Sequence, residues 1–472
     1  MAINKATLAV DINGAIEYVY PKTSADLVEY DTSQSVEDKI KSVERSILDI
    51  HSDIVQNEIE MHISVYNATD YGLSTENTGL QNSNFLQALI DTLNNNSGGT
   101  IYIPAGEYMF AQTGDVEQWG GTSVRLKSNV SIVGDGASTV LLPTGTEEKC
   151  FNMFGGANTD WTYLENCRFE NFVIDGKDQH CQTYSTSGKG FAINLLKNCH
   201  WRNVIVRNTD ATGFGMDCPI NCSITNCVAE NCGKAATVDS PGASGFGIGF
   251  GRSTDEYMYI HNCTAIGNKR YGIFFEHQRR FWPNDNYYPA TYNRGFIITN
   301  CISQLNNWNY GCTQGIDVTY KGCVSSGAVK FGYLLQNSQQ CNILNCIADS
   351  EGDTAYVINA NTIDGGTQPN KDNKIIGCIS KLSPYACKIV NIDSVGEMTR
   401  NIVKDCYFNL AQTNTVLMIG EMDNLILQGN ISNGAPNISS ATITNLVDTG
   451  NSWNDIFSTD EELNQMLSEV LI

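Results

Sequence analysis

The sequence predicts an all-β solenoid, a chain wound into one short coil after another, and three observations carry that expectation. First, a phrase built on Asn-Cys keeps returning: Ile224-Thr-Asn-Cys-Val-Ala-Glu230, Ile260-His-Asn-Cys-Thr-Ala-Ile266, Ile298-Thr-Asn-Cys-Ile-Ser-Gln304 and Ile343-Leu-Asn-Cys-Ile-Ala-Asp349. Second, looser copies keep the frame, with Phe172, Val204, Cys323, Cys378, Cys406 and Asn430 at the Cys position, and the shortest steps are 22 to 24 residues. Third, the repeats are made of short alternating β segments without a helical period. A repeat of that size, too small to bury a core alone, is stable only by stacking on its neighbours, and stacked parallel strands sit about 4.8 Å apart.

Stacking brings like residues above one another. Asn171, Asn203, Asn226, Asn262, Asn300 and Asn345 are expected as an inward ladder at a turn, their amides bonding to each other. The cysteines one position on are expected as a buried stack. Seven of the 17 cysteines fall at that repeat position, so they read as reduced core thiols rather than a disulfide framework or a zinc site.

At 472 residues the chain exceeds an ordinary single core, but a solenoid grows along one axis and escapes that limit. A net charge of −22 argues against nucleic acid as a partner, since phosphate binding needs a cation excess. No basic and apolar leader opens the sequence and no apolar run is long enough to span a bilayer, so neither signal-peptide secretion nor membrane insertion is expected.

Residues 1–34 are short, turn-rich and β-leaning, suited to an attachment segment. From Val36 the pattern changes: Val36, Ile40, Val43, Ile47, Ile50 and Ile54 alternate steps of four and three, continued by Asn57 and Met61. That is a heptad seam, and isoleucine at both core positions favours three strands. Residues 35–62 are therefore expected to form a trimeric α-helical coiled coil, with a single amphipathic helix as the alternative. Within 63–450, the stretch of about 82–96 places Phe85, Leu86, Leu89, Ile90 and Leu93 on one helical face and is expected to cap the open first coil. Residues 451–472 are a tail in which Leu463, Met466, Leu467, Val470 and Leu471 predict a short C-terminal helix.

Four pieces in order resemble a known family: Asp70-Tyr-Gly72, the Ala88-Leu-Ile-Asp91 helix, Gly98-Gly-Thr-Ile-Tyr-Ile-Pro-Ala-Gly-Glu-Tyr108 and Val130-Ser-Ile-Val-Gly-Asp-Gly136. Together they look like the opening of the pectate-lyase-like right-handed, single-stranded parallel β-helices, over roughly residues 65 to 450, with Asn82 where that family usually has Asp. Joined to a trimerising N-terminal segment without a leader, the helix resembles bacteriophage tailspikes and tail appendages. The resemblance implies a homotrimer in the virion tail, made in the host cytoplasm, tied to other tail or baseplate proteins through residues 1–62. It further implies binding, and often cutting, of a host surface polysaccharide or teichoic acid.

A second register suggests where chemistry would sit. Phe191-Ala-Ile-Asn194, Phe214-Gly-Met-Asp217, Phe246-Gly-Ile-Gly249, Tyr271-Gly-Ile-Phe274 and Phe331-Gly-Tyr-Leu334 align. Alternation turns Met216 and Cys218 inward and Asp217 outward; the next coil offers a bare Gly249, and the one after that Glu276. Two coils correspond to about 9.6 Å, close to the carboxyl separation of about 6.5–9.5 Å used by inverting glycosidases. Glu276, beside Phe274 and Phe275, is assigned the acid and Asp217 the base, with Asp239 able to replace either. Trp282, Tyr287 and Tyr288 are candidates to hold sugar rings. Arg252, His277, Arg279 and Arg280 are candidates to hold an anionic polymer, although the same aromatic loop also suits a contact between chains of a trimer. No cofactor is expected for hydrolysis. β-Elimination on a uronate would instead use Arg279, Arg280, His277 or Lys269, with Ca²⁺ as a candidate ion, and a third reading is a non-enzymatic adhesin.

Overall fold

The computed structural model describes residues 64–111, 121–145, 151–156, 162–180, 184, 187–278, 295–361, 369–391, 397–409 and 414–453, together with the short pair 9–10 and 16–17. The expected coiled coil at 35–62 and the helix expected within 451–472 lie outside these residues. Two compact units divide the chain, residues 1–63 and 64–472. In the first, Ala9–Val10 pairs antiparallel with Ile16–Glu17.

The second unit is a parallel β-helix whose coils present three faces. Face A is one 15-stranded sheet; its central strands are β1 (Phe191–Lys197), β2 (Phe214–Ile220), β3 (Phe246–Phe250), β4 (Tyr271–His277), β5 (Trp308–Thr313), β6 (Phe331–Gln336) and β7 (Thr354–Ala360), each paired in parallel with the next. Faces B and C are joined by two-residue corners. Cys222–Thr225, Met258–His261 and Phe296–Thr299 follow one another on face B, and Val228–Glu230, Thr264–Ile266 and Ile302–Gln304 on face C. The expected frame holds throughout: the registers align Phe172, Val204, Cys227, Cys263, Cys301, Cys323, Cys346, Cys378, Cys406 and Asn430.

The asparagine ladder forms, but it faces outward. Asn203, Asn226, Asn262, Asn300 and Asn345 have φ between 51° and 54° and exposed side chains, with Asn203 Nδ2 donating to Asn171 Oδ1 at 2.9 Å and Asn262 Nδ2 to Asn226 Oδ1 at 2.8 Å. The corner needs a left-handed residue, which asparagine tolerates better than other non-glycines, and that conformation swings its side chain out while the next residue turns in. The cysteines take the inward place. Cys263 is 1 % exposed, and the Cys227 and Cys263 backbone N–H groups donate to the next thiol at 3.4 Å. Every cysteine among the described residues is a free thiol. Inward amide ladders occur elsewhere, as at Asn268 and Asn306.

Aromatic rings line the inner side of face A. Phe154, Phe191, Phe214 and Phe246 stack in sequence with centroids 5.4, 5.5 and 4.7 Å apart. Further along, Tyr310, Tyr333 and Tyr356 stack at 4.6 and 5.2 Å, and each hydroxyl donates to a cysteine carbonyl at 2.8 Å. A fully buried phenol is tolerated because its one polar atom is satisfied.

Helix α1 (Gly79–Asn95) closes the first coil. It starts three residues before the expected position because Thr78 and Gln81 form a capping box. Leu86, Leu89, Ile90 and Leu93 are buried against the coil, while Phe85 is 41 % exposed and covers Gly72, where a methyl group would lie 2.8 Å from its ring. Asn82 is fully buried and ties the helix to the first coil, accepting from the Ser74 N–H and donating to the Met109 carbonyl at 3.1 Å each.

Candidate functional site

On face A, Asp217 of β2 pairs in register with Gly249 of β3, and Gly249 with Glu276 of β4. Met216, 1 % exposed, belongs to the core cluster, so alternation carries Asp217 to the outer surface. Cys218, expected to turn inward as well, has a left-handed backbone (φ 56°), lies outside that cluster and is buried against Glu256 instead. The two carboxylates share one outward row with a glycine between them. Asp217 leans over that glycine and accepts its backbone N–H; a methyl group there would overlap Asp217 Oδ1 and lie 2.5 Å from Gln278 Nε2. Gln278 Nε2 in turn donates to Glu276 Oε1 at 3.5 Å.

A cation completes the cluster. The Lys189 backbone N–H is fixed by Asn152 Oδ1 at 3.0 Å. Its side chain then runs across the bare surface of Gly215, where a methyl group would lie 3.0 Å from Lys189 Cδ. Burial lowers the Lys189 pKa, opposed by the negative charges of Asp217 and Glu276. Burial also pushes Asp217 up to about 6; Glu276 adds to the rise, while Lys189 and the Gly249 N–H oppose it. A carboxyl that stays partly protonated near neutrality beside a second carboxylate is the arrangement that general acid–base chemistry requires.

Beside this cluster stands an aromatic wall. Tyr271 stacks on Phe274 at 4.0 Å and on Trp308 at 4.8 Å, over Gly311, where a methyl group would lie 2.5 Å from the Tyr271 ring. Arg270 lies 5.3 Å from the Tyr271 centroid and Lys330 4.9 Å from that of Trp308. Burial pushes the Tyr271 hydroxyl up to about 12, Arg270 opposing and Glu276 adding to the rise.

The sequence therefore brought Asp217, Gly249 and Glu276 to one place, though with one strand misaligned. Tyr271 pairs with Trp308 and Trp308 with Phe331, whereas Phe246 pairs with Ile273. The slip of two residues arose because Tyr271-Gly272 imitates Phe246-Gly247, and correcting it moves Glu276 into the Asp217 row. Other candidates fall elsewhere. Asp239 is exposed in a turn closed by Thr237 and Ser240. Arg252 hydrogen-bonds Tyr163, and its backbone N–H donates to Glu256 Oε1 at 2.8 Å. His277, expected to hold substrate, is in the inward row instead: it is 6 % exposed, pairs with core residue Phe250 and packs edge-on to that ring at 5.7 Å. Arg279, Arg280, Trp282, Tyr287 and Tyr288 lie outside the described residues. Lys189, Gln278 and the Tyr271–Trp308 wall were missed; Gln278, two residues beyond Glu276, was accessible to the same alternation. Among the described residues no three His, Cys, Asp or Glu side chains are placed to hold a metal ion.

A solenoid with an outward acid pair on one sheet is the class of protein that the fold and site define, and comparison with known proteins agrees on the fold. No family model matches the chain. It is 29 % identical over 182 residues to mannuronan C5-epimerase AlgE1 of Azotobacter vinelandii, covering 36 % of this chain and 12 % of that protein. It is 31 % identical over 119 residues to alginate lyase 7 of the same organism, covering 25 % and 13 %. The chain thus matches about an eighth of the length of these relatives. Among solved structures, the A-module of Azotobacter vinelandii mannuronan C-5 epimerase AlgE6 superposes with a TM-score of 0.53 at 16 % identity, covering 81 % of this chain and 99 % of that one, a likeness of fold.

Proposed function

We propose that this chain processes a polysaccharide on face A, by hydrolysis at the Asp217–Glu276 pair. The observation that carries the reading is the outward acid pair on a glycine floor, one member held at about 6. Two strand spacings, about 9.6 Å, separate the two positions along their row, and the lean of Asp217 over Gly249 brings its carboxyl nearer to Glu276. That suits an inverting reaction, in which one carboxyl protonates the leaving oxygen and the other activates water on the opposite side of the ring. The raised Asp217 favours exchanging the roles read from the sequence. Asp217 gives its proton to the glycosidic oxygen as the C1–O bond breaks; Glu276 takes a proton from the water whose oxygen bonds to C1.

A second reading is β-elimination, favoured by Lys189 beside the acid pair and by relatives named as a mannuronan epimerase and an alginate lyase. Lys189 would then neutralise a uronate carboxylate while Glu276 removes the C5 proton, the C4–C5 double bond forms as the C4–O bond breaks, and protonated Asp217 gives its proton to the leaving oxygen. The test is incubation with polyuronates and with bacterial surface glycans. New reducing ends without ultraviolet absorbance support hydrolysis, an absorbing unsaturated product identifies the lyase, and binding without any product leaves an adhesin. The proposed setting is a homotrimeric phage tail appendage acting on a host glycan, supported by the heptad seam from Val36 to Met61.

A further inference from the structure

Several half-buried cations of the β-helix are matched to acids: Arg207 with Asp175, Lys234 with Asp210 and Lys388 with Asp353. Half-buried Arg270 and exposed Lys330 have no acid within salt-bridge distance among the described residues. Among the described residues their neighbours are aromatic rings, Tyr271 and Phe274 at 5.3 and 5.7 Å for Arg270 and Trp308 at 4.9 Å for Lys330. A ring face steadies a cation without supplying a counter-charge, so these two basic groups are not spent on an acid among the described residues, on a chain of net charge −22.

The row opposite this wall is uncharged and polar. Glu276 continues in register to Thr313, Gln336 and Asn359. Thr313 Oγ1 donates to Gln336 Oε1 at 3.2 Å, and Gln336 Nε2 to Asn361 Oδ1 at 2.9 Å, which holds the amides in fixed orientation with capacity left for hydroxyl groups. The wall continues through Leu334 and Val357, so it and the row run side by side along the solenoid axis for three strand spacings, roughly 14 Å. Both start at the acid pair and extend toward the C-terminal coils. On the other side the positions in register with Phe274 are Gly247 and Gly215, with no side chain of their own and with Lys189 lying over Gly215, so the aromatic wall does not continue there.

We infer that β4 to β7 form a one-sided binding track for an anionic, hydroxyl-rich glycan, with Arg270 and Lys330 engaging its negative groups and Thr313, Gln336 and Asn361 its hydroxyls. The inference rests on the reading that face A holds a glycan, and it adds the charge of that glycan and the direction in which it leaves the acid pair. The shared chemistry is an anionic polymer, either a polyuronate or a poly(glycerol phosphate).

The test measures binding by calorimetry to the full chain carrying Asp217→Asn, using a uronate hexamer, a glycerol phosphate hexamer and an uncharged glucan hexamer. One anionic hexamer is expected to bind at least tenfold tighter than the glucan, and which one does so separates the two sources. Lys330→Met and Arg270→Met are each expected to weaken that binding about fivefold or more, with Lys330→Arg restoring it and the thermal midpoint unchanged. Equal binding of charged and neutral hexamers, binding of none, or Met variants that bind like their parent overturns the inference. If the unmodified chain cleaves no glycan while these differences hold, the hydrolytic reading fails and the track stands. If it cleaves and the Met variants bind and cleave normally, the track alone fails.

Discussion

Asp217 carries its proton into the neutral range because a half-buried carboxylate faces a second one across a glycine. In the hydrolytic reading, activity falls as pH rises through about 6, and a pH–rate profile measures the limb. The same shift affects stability. The folded value lies above the ordinary 3.8, so Asp217 favours the fold most at low pH, and that contribution is lost as pH rises through about 6. Asp217→Asn and Glu276→Gln are each expected to reduce product release at least a hundredfold while leaving the far-ultraviolet circular dichroism unchanged. Gly249→Ala tests the floor. Its backbone is compatible with alanine, but the methyl group displaces Asp217 Oδ1 and Gln278, so a folded protein with at least tenfold lower turnover is expected. Asp217 and Glu276 were legible as one patch from strand alternation and a coil count, although placing Glu276 in the Asp217 row needed the backbone register. Lys189 was not, since a lone lysine at a strand start has no period, and its course depends on Gly215 lacking a side chain.

Among the elements, the corners were half legible. Repetition of Asn-Cys located them, but which of the two residues points inward depends on the left-handed φ of the asparagine, and a letter pattern does not carry that. Asn262→Ala is expected to destabilise by about 1 kcal/mol or more, since alanine pays for a left-handed backbone and the bond to Asn226 is lost. Asn262→Gly removes the same bond without backbone strain and is expected to cost less; chemical denaturation of the two variants separates strain from hydrogen bonding. A second element-scale prediction concerns Glu351, buried where it accepts from Ser325 Oγ and the Ala328 N–H and pushed up to about 7, burial being the main cause. Its folded pKa exceeds the ordinary 4.5, so its contribution is greatest at low pH and is lost as pH rises through about 7. Glu351→Gln is expected to flatten the fall in melting temperature between pH 4.5 and about 7, the interval over which the folded chain holds this proton and the unfolded chain does not.

For the whole molecule, the coil order was readable because stacking turns a one-dimensional repeat into a three-dimensional register. The two-residue slip at Tyr271 shows the limit: within one coil, two aromatic–glycine pairs are equivalent as letters, and only backbone pairing chooses between them. The heptad seam yields a prediction at this scale. Light scattering of the full chain is expected to report a trimer, and deletion of residues 1–62 a monomer with its β-sheet spectrum retained; a monomeric full chain would remove the proposed tail-appendage setting.

The inward cysteines have a further use. Each of seven consecutive coils from Cys227 to Cys406 carries one thiol at the same depth, all buried and free. In a molecule that opens by nearest-neighbour steps, a thiol reagent reaches such a sulfur only after its own coil has parted. Cys232, Cys312, Cys341 and Cys387 add second buried thiols to some of these coils, so peptide mass spectrometry of chains alkylated for increasing times would report, by which cysteines are labelled first, the end from which the solenoid frays and how far the fraying runs before the remainder gives way.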